Sequence, residues 1–326
     1  MRMPYVEVDP SDLQACKRLL REGSKSFALA SLILPRRVRD PAAAIYAFCR
    51  VADDLVDEGD GGEDVLDRLR ERIDRAYEGV VGDDPVDRAF SAVVRGYDIP
   101  REIPLALLEG FAWDAKGRRY DRIEDVLAYS ARVAGTVGVM MTLLMGPRDS
   151  QTLERACDLG VAMQLTNIAR DVGQDARLGR IYLPTEWLRE EGVDRDAFLR
   201  DPAFRPEIAA VVRRLLELAD RLYVRSEAGI GMLPSDCRPA IRAARLIYAE
   251  IGRKLEQGGL DSVSRRTVVS KGRKMWLVIR ALVGRQSSRL IAGGSYVPLE
   301  ETRFLVEVSA RPATAMLGQS CQEVGA

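Results

Sequence analysis

Two short acidic runs have the residue types and spacing for chemistry on a charged substrate. The first is Ile45-Tyr-Ala-Phe-Cys-Arg-Val-Ala-Asp-Asp-Leu-Val-Asp57. On a helix, at roughly 100° per residue, Tyr46, Arg50, Asp53 and Asp57 fall within about 60° of one another. Asp53 and Asp57 then occupy consecutive turns, roughly 6 Å apart at Cβ, and repel unless a cation lies between them. The second run is Gln164-Leu-Thr-Asn-Ile-Ala-Arg-Asp-Val-Gly-Gln-Asp175. Here Gln164, Asn167, Asp171 and Asp175 share an arc of roughly 80°, with Arg170 off the stripe. All four offer oxygen and none is a soft donor, a set that suits Mg²⁺ or Mn²⁺ completed by water and phosphate oxygens. A single such motif is most often a solvated helix face. Two of them, each set among apolar residues and each accompanied by arginine, favour a cation and phosphate site.

The rest of the composition narrows the chemistry. The 326 residues contain no histidine, which removes Ser-His and Cys-His nucleophiles and His-ligated zinc. Cys16, Cys49, Cys157, Cys237 and Cys321 are scattered and odd in number, so a reducing cytosolic setting fits better than a disulfide framework. Lys plus Arg, 49, equals Asp plus Glu, 49, and gives no electrostatic reason to expect nucleic acid. The first ten residues lack the apolar core of a signal peptide. The most apolar stretch, 133–145, is shorter than the roughly 20 residues of a spanning helix and reads as a buried one.

Helices must position these residues, since helical periodicity dominates and no run of alternating strands appears. The pattern predicts helices at 10–22, 40–57, 63–80, 84–96, 101–116, 122–144, 149–173, 205–229, 236–256 and 265–288. Asp149 or Ser150 is a cap candidate, as is Asp236. No linker or repeat divides the chain, so one all-α domain over 1–310 is expected. The Pro-, Gly-, Ser- and Gln-containing segment 311–326 reads as a disordered tail.

At these motifs the sequence resembles the squalene/phytoene synthase family of head-to-head prenyl transferases, and most of all its bacterial members. The resemblance rests on Ser24-Lys-Ser-Phe27, Tyr46 through Asp57, Tyr129 with Val133-Ala-Gly-Thr-Val-Gly138, and Gln164 through Asp175 running into Gly179-Arg-Ile-Tyr-Leu-Pro184. It departs at Gly23, where a histidine often precedes Ser-Lys-Ser-Phe. The resemblance implies a single-domain isoprenoid-synthase helical bundle around a central prenyl pocket, with the two aspartate helices facing each other across its mouth. It implies that Asp53, Asp57, Asn167, Asp171 and Asp175 hold Mg²⁺ or Mn²⁺. Arg50, Arg170, Arg180 and Arg266 match positions associated with diphosphate binding, as do Ser24 and Ser26 more loosely; surface ion pairing is their alternative. The implied reaction joins two geranylgeranyl diphosphates through prephytoene diphosphate to phytoene, in carotenoid biosynthesis, without NADPH. Squalene or dehydrosqualene synthesis from farnesyl diphosphate is the nearest alternative. A non-catalytic helical assembly or binding protein is the most distant.

With no histidine, the base that takes the protons is open. The departing diphosphate is the first choice, with Tyr46, Tyr129 or Tyr248 as dipole or cation–π stabilisers. Val139, Met140, Met141, Leu143, Leu144 and Met145 are candidates for pocket lining or ordinary helix core. Finally, 262–299 contains no acidic residue while 265–289 mixes Arg and Lys with Trp276, Ile279 and Leu282. A basic amphipathic helix there suits either peripheral membrane contact or a solvated face on the core.

Overall fold

The computed structural model describes residues 6–58, 63–283 and 297–310, and at Ser26, Asp57, Glu58 and Glu63 the backbone alone. The expected tail at 311–326 lies outside the described residues. Among the described residues every regular element is helical. Helices α1 (Pro10–Gly23), α2 (Lys25–Ser31), α3 (Arg36–Glu58), α4 (Glu63–Glu78), α5 (Pro85–Gly96) and α6 (Glu102–Ala115) come first. Next, α7 (Ile123–Ser130) passes through a π turn (Ala131–Gly135) into α8 (Thr136–Met145). The chain continues as α9 (Ser150–Arg177), α10 (Thr185–Glu190), α11 (Arg195–Arg200), α12 (Pro206–Met232), α13 (Arg238–Gln257), α14 (Lys271–Val283) and α15 (Arg303–Ser309).

Two large apolar cores hold the bundle. One joins α1, α3 to α6 and α8; the other joins α7 and α9 to α12. A smaller cluster packs Leu277, Val278 and Ala281 of α14 on α13, against Leu29 of α2 and Ile33 just beyond it.

Several boundaries depart from the sequence pattern for identifiable reasons. Helix α3 starts at Arg36, four residues before the expected position, although Pro41 lies inside it. A proline at 41 cannot donate to the carbonyl of residue 37. The Tyr97 hydroxyl donates to that carbonyl instead, at 2.8 Å. Helix α9 does not stop at Gly173 but runs on to Arg177. Gly173 serves a close approach: its N–H donates to the Ser262 carbonyl at 3.0 Å, and any Cβ there would collide with the backbone of Val263. Asp149 caps α9 as expected, accepting from the N–H of Thr152 at 2.8 Å. Asp236 caps nothing; α13 begins at Arg238, and Arg37 grips the Asp236 carboxylate with two hydrogen bonds of 2.5 and 2.9 Å. The expected helix at 265–288 begins only at Lys271, with the Ser270 hydroxyl accepting from the N–H of Arg273 at 3.3 Å. Positions 284–288 lie outside the described residues. The short helices α2, α10, α11 and α15 were too brief to carry a readable period.

The 133–145 stretch is part of a longer element. Ile123–Met145 is 23 residues long and, by length and composition, apolar enough to cross a membrane. In the bundle 67% of its apolar window is buried, packed against α3, α6 and α9, so here it is a core helix.

Candidate active site

A cavity of about 290 Å³ lies between the helices, its wall built from α2, α3, the π turn with α8, α9, α12 and α13. Both aspartate helices reach it, α3 through Tyr46 and Cys49 and α9 through a row from Thr152 to Asn167. That row spans about 22 Å at 1.5 Å per residue. One end is polar, with Ser24, Tyr46, Gln164, Asn167 and Tyr248. The walls beyond it are mainly apolar, including Val137, Met141, Met145, Leu159 and Met163. Of the apolar residues of α8 weighed for this role, Met141 and Met145 line the cavity; Val139, Met140, Leu143 and Leu144 are helix core. A π turn widens a helix locally, and here it delivers Val133 and Ala134 to the wall.

The polar end is built from α2 with its cap, α3, α9 and α13, and the segment before α14 packs on α9 beyond it. Ser24 caps α2, accepting from the N–H of Phe27 at 3.2 Å. The Tyr46 ring stacks on Phe27 with centroids 5.6 Å apart. Its hydroxyl fills the space that a Cβ at Gly23 would enter, so the glycine that breaks the family pattern makes room for a tyrosine. Burial pushes the Tyr46 phenol up to about 12, and burial likewise raises Tyr248, whose hydroxyl is paired with Ser24. Both phenols therefore stay protonated near neutral pH.

The two acidic stripes are built differently. On α3, the Arg50 guanidinium forks mainly onto Asp54, with Nε at 2.9 Å, and lies 3.6 Å from Asp53. Asp54 does not belong to the stripe read from the sequence; it lies within reach of Arg50 because it is four residues on. The side chains of Asp57 and Ser26 lie outside the described residues. On α9, Asp171 is held from two sides. Arg170 Nε donates to it at 2.8 Å, and Arg266 Nε does so from the segment preceding α14, also at 2.8 Å. The long Arg170 side chain thus folds back onto its neighbour despite its offset on the wheel. Arg266 reaches Asp171 because Gly173 lets 262–263 lie directly on α9. Burial would raise the Asp171 carboxyl, but hydrogen bonds and charge from Arg170 and Arg266 outweigh it and hold Asp171 below the ordinary value of 3.8. Asp175 goes the other way, up to about 7, through burial and the negative charge of Asp171, with Arg180 opposing the shift. Asn167 and Gln164 are hydrogen-bonded to each other at 3.3 Å.

Tyr129 does not line the cavity alongside Tyr46 and Tyr248. Its ring stacks on Tyr182 with centroids 5.0 Å apart, and both hydroxyls donate to Asp114, at 2.6 and 2.7 Å. Asp114 in turn raises Asp175 electrostatically, so this group lies behind the second stripe. Sequence reasoning missed Asp114, which belongs to neither acidic run, and gave no role to Tyr182 within Gly179-Arg-Ile-Tyr-Leu-Pro184. It also passed over Lys25, although that residue stands inside Ser24-Lys-Ser-Phe27. Burial lowers the pKa of Lys274, and the positive charges of Arg170 and Lys25 lower it further. Lys25, Arg170, Arg266 and Lys274 therefore form one basic margin beside Asp171.

Among the described residues no group of three or more Cys, Asp or Glu side chains is gathered to hold a metal ion. The donor chemistry nevertheless fits a hard dication. Asp171 and Asp175 are two poorly solvated carboxylates one turn apart; burial and then the charge of Asp171 raise Asp175, and a cation between them would relieve both.

Known proteins match this arrangement along most of the chain. The squalene/phytoene synthase family model matches residues 20–273. A phytoene synthase of Rhodobacter capsulatus is 50% identical over 306 residues, covering 92% of this chain and 90% of that protein. One from Cereibacter sphaeroides is 52% identical over 318 residues, covering 92% and 88%. Among solved structures, a dehydrosqualene synthase in complex with ligand superposes with a TM-score of 0.76 at 34% identity, covering 83% of this chain and 95% of that one. A squalene synthase from Alicyclobacillus acidocaldarius gives 0.70 at 27% identity, covering 76% and 94%. Matched by the family model over residues 20–273 and by relatives at 50% and 52% identity along nine-tenths of its length, the chain belongs to the squalene/phytoene synthase family.

Proposed function

We propose that this chain is a phytoene synthase that joins two geranylgeranyl diphosphates head to head, through prephytoene diphosphate, releasing two diphosphates. The observation that carries this reading is one cavity, mainly apolar over about 22 Å of α9, that ends in oxygen donors from two helices beside a basic margin. Relatives at 50% and 52% identity named phytoene synthase support the choice of substrate.

Asp53, Asp57, Asn167, Asp171 and Asp175 would hold Mg²⁺ or Mn²⁺. When bound, the ions neutralise charge on the departing diphosphate. Arg50, Arg170, Arg180 and Arg266, with Ser24, Ser26 and Gln164, bind and orient the diphosphates; arginine forks suit phosphate oxygens. In the first half-reaction the C–O bond of one substrate breaks and the double bond of the other attacks the allylic cation. Proton loss closes the cyclopropane. In the second half-reaction the remaining C–O bond breaks, the skeleton rearranges, and a second proton leaves to give phytoene. No hydride is consumed, so no NADPH is expected.

The apolar wall keeps water from the cations. Tyr46 and Tyr248, held as neutral phenols, offer ring faces and hydroxyl dipoles rather than phenolate bases. The departing diphosphate is left as the base. Tyr129 serves at one remove, through Asp114, by fixing the surroundings of Asp175. A cytoplasmic enzyme at a membrane surface fits this reading, because the substrate tails and the product are oily.

The likeness to a solved dehydrosqualene synthase favours farnesyl diphosphate as the second reading. Incubation with each diphosphate, Mg²⁺ and no NADPH separates the two. Phytoene from geranylgeranyl diphosphate is expected. A thirty-carbon product from farnesyl diphosphate, with the longer substrate untouched, would replace the proposal.

A further inference from the structure

Helix α14 has two apolar faces, and the bundle uses only one. Leu277, Val278 and Ala281 are buried against α13 and α2. Met275, Trp276, Ile279, Leu282 and Val283 all stand in solvent, from 47% to 74% exposed. At 100° per residue these five share an arc of roughly 120°, a continuous stripe rather than scattered exposure. Leu32, where α2 ends, and Val268, in the segment before α14, are exposed as well, at 64% and 69%.

Charge frames the stripe. On the wheel Arg273 and Arg280 follow one edge and Lys271 the other. Both arginines lie over the Trp276 ring, with guanidinium carbons 4.5 and 5.7 Å from its centroid. Trp276 thus presents an apolar ring flanked by cations, an arrangement suited to a bilayer interface. No acidic residue occurs between Ser262 and Leu299, although the whole chain is neutral by count.

The stripe also lies close to the cavity's polar end. Lys274, immediately before the stripe's first residue, feels the charges of Arg170 and Lys25. Arg266, five residues before α14, holds Asp171. Helix α2, which packs on the inner face of α14, contributes Phe27 to the cavity, as its cap contributes Ser24.

We infer that the outer face of α14 is a docking surface for an anionic lipid bilayer. The apolar stripe enters the acyl boundary while Lys271 and Arg280 meet the headgroups, Arg273 being held by the Glu250 carboxylate of α13 at 2.6 Å. The bilayer then lies beside the basic margin, where prenyl tails enter and the hydrocarbon leaves. The surface stands on its own observations; its use in loading the cavity rests on the function proposed above.

The test uses the full chain with phosphatidylcholine vesicles, with and without phosphatidylglycerol, in co-sedimentation at low and moderate salt. The wild type is expected to bind the anionic vesicles, to bind them less as salt rises, and to bind neutral ones weakly. The triple variant Trp276→Ser/Ile279→Ser/Leu282→Ser changes only exposed side chains and should bind roughly tenfold less or weaker still. Its turnover in detergent micelles should match the wild type. Arg280→Glu, which leaves the stripe intact, should weaken anionic binding alone.

Failure of the wild type to bind anionic vesicles overturns the inference, as does equal binding by the triple variant. A wild-type dimer in analytical ultracentrifugation that the triple variant converts to monomer also overturns it, since a second copy then covers the stripe. Turnover in micelles without vesicle binding removes the docking surface and leaves the reaction standing. Vesicle binding without turnover does the reverse.

Discussion

The acidic stripes of α3 and α9 have similar spacing in sequence but opposite physical settings. Asp53 is half in water, its side chain 42% exposed, beside an arginine of its own helix that favours Asp54. Asp171 is only 15% exposed and is clamped by Arg170 and by Arg266, which lies far along the chain. Behind it, Asp175 is driven upward by burial and by the negative charge of Asp171. A solvated carboxylate can take up an arriving cation with little reorganisation. A buried one needs its counter-charge built in and its backbone brought close, which Gly173 permits. The α9 stripe is therefore preorganised and the α3 stripe adaptable, and their variants should fail to different degrees.

The largest effect is expected at Asp171. Asp171→Asn should lower turnover roughly 10³-fold and resist rescue by added Mg²⁺, since a preorganised electrostatic group is lost. Asp53→Asn should lose less, about 10–100-fold, and recover partly at high Mg²⁺. Steady-state assays across a Mg²⁺ series measure both; equal losses with equal rescue would erase the contrast. Next is Arg266→Ala, which removes one side of the clamp. The KM for the diphosphate should rise about tenfold with a smaller change in kcat, as for a lost binding contact.

The third test is pH-dependent stability in chelator. The Asp175 carboxyl ionises near 3.8 when unfolded and near 7 when folded. Between those values the folded chain holds the extra proton, so stability should fall as pH rises from 4 to 7, by roughly 2–4 kcal/mol. Thermal melts of wild type and Asp175→Asn check the sign: the variant should lose this slope. An identical slope in both proteins would assign it elsewhere. The smallest effect belongs to α3. Asp54→Asn removes an exposed ion pair and should cost less than about 1 kcal/mol. Denaturant titration reads it; a loss of several kcal/mol would show that the arginine beside Asp53 is held as firmly as the clamp on α9.

What the sequence disclosed follows from what period and spacing encode. The long amphipathic helices and both acidic stripes were legible because 3.6-residue periodicity repeats over many turns. The start of α3 was not, because the Tyr97 hydroxyl that serves the Arg37 carbonyl lies sixty positions away. Gly173 looked like a helix stop for the same reason: its partner, Ser262, is distant in the chain. Arg266 was found by resemblance, but its contact with Asp171 depends on that tertiary approach. Tyr129 was found as a motif residue, and only the fold turns it toward Asp114. Spacing along one helix can name donors that share a face; it does not show which cation answers each.

The most direct measurement is Mn²⁺ binding, followed by electron paramagnetic resonance, with and without inorganic diphosphate. Wild type should bind Mn²⁺ much more tightly when diphosphate is present, and both Asp53→Asn and Asp171→Asn should lose that enhancement, Asp171→Asn more completely. Unchanged diphosphate-dependent binding in both variants would contradict a site shared between α3 and α9.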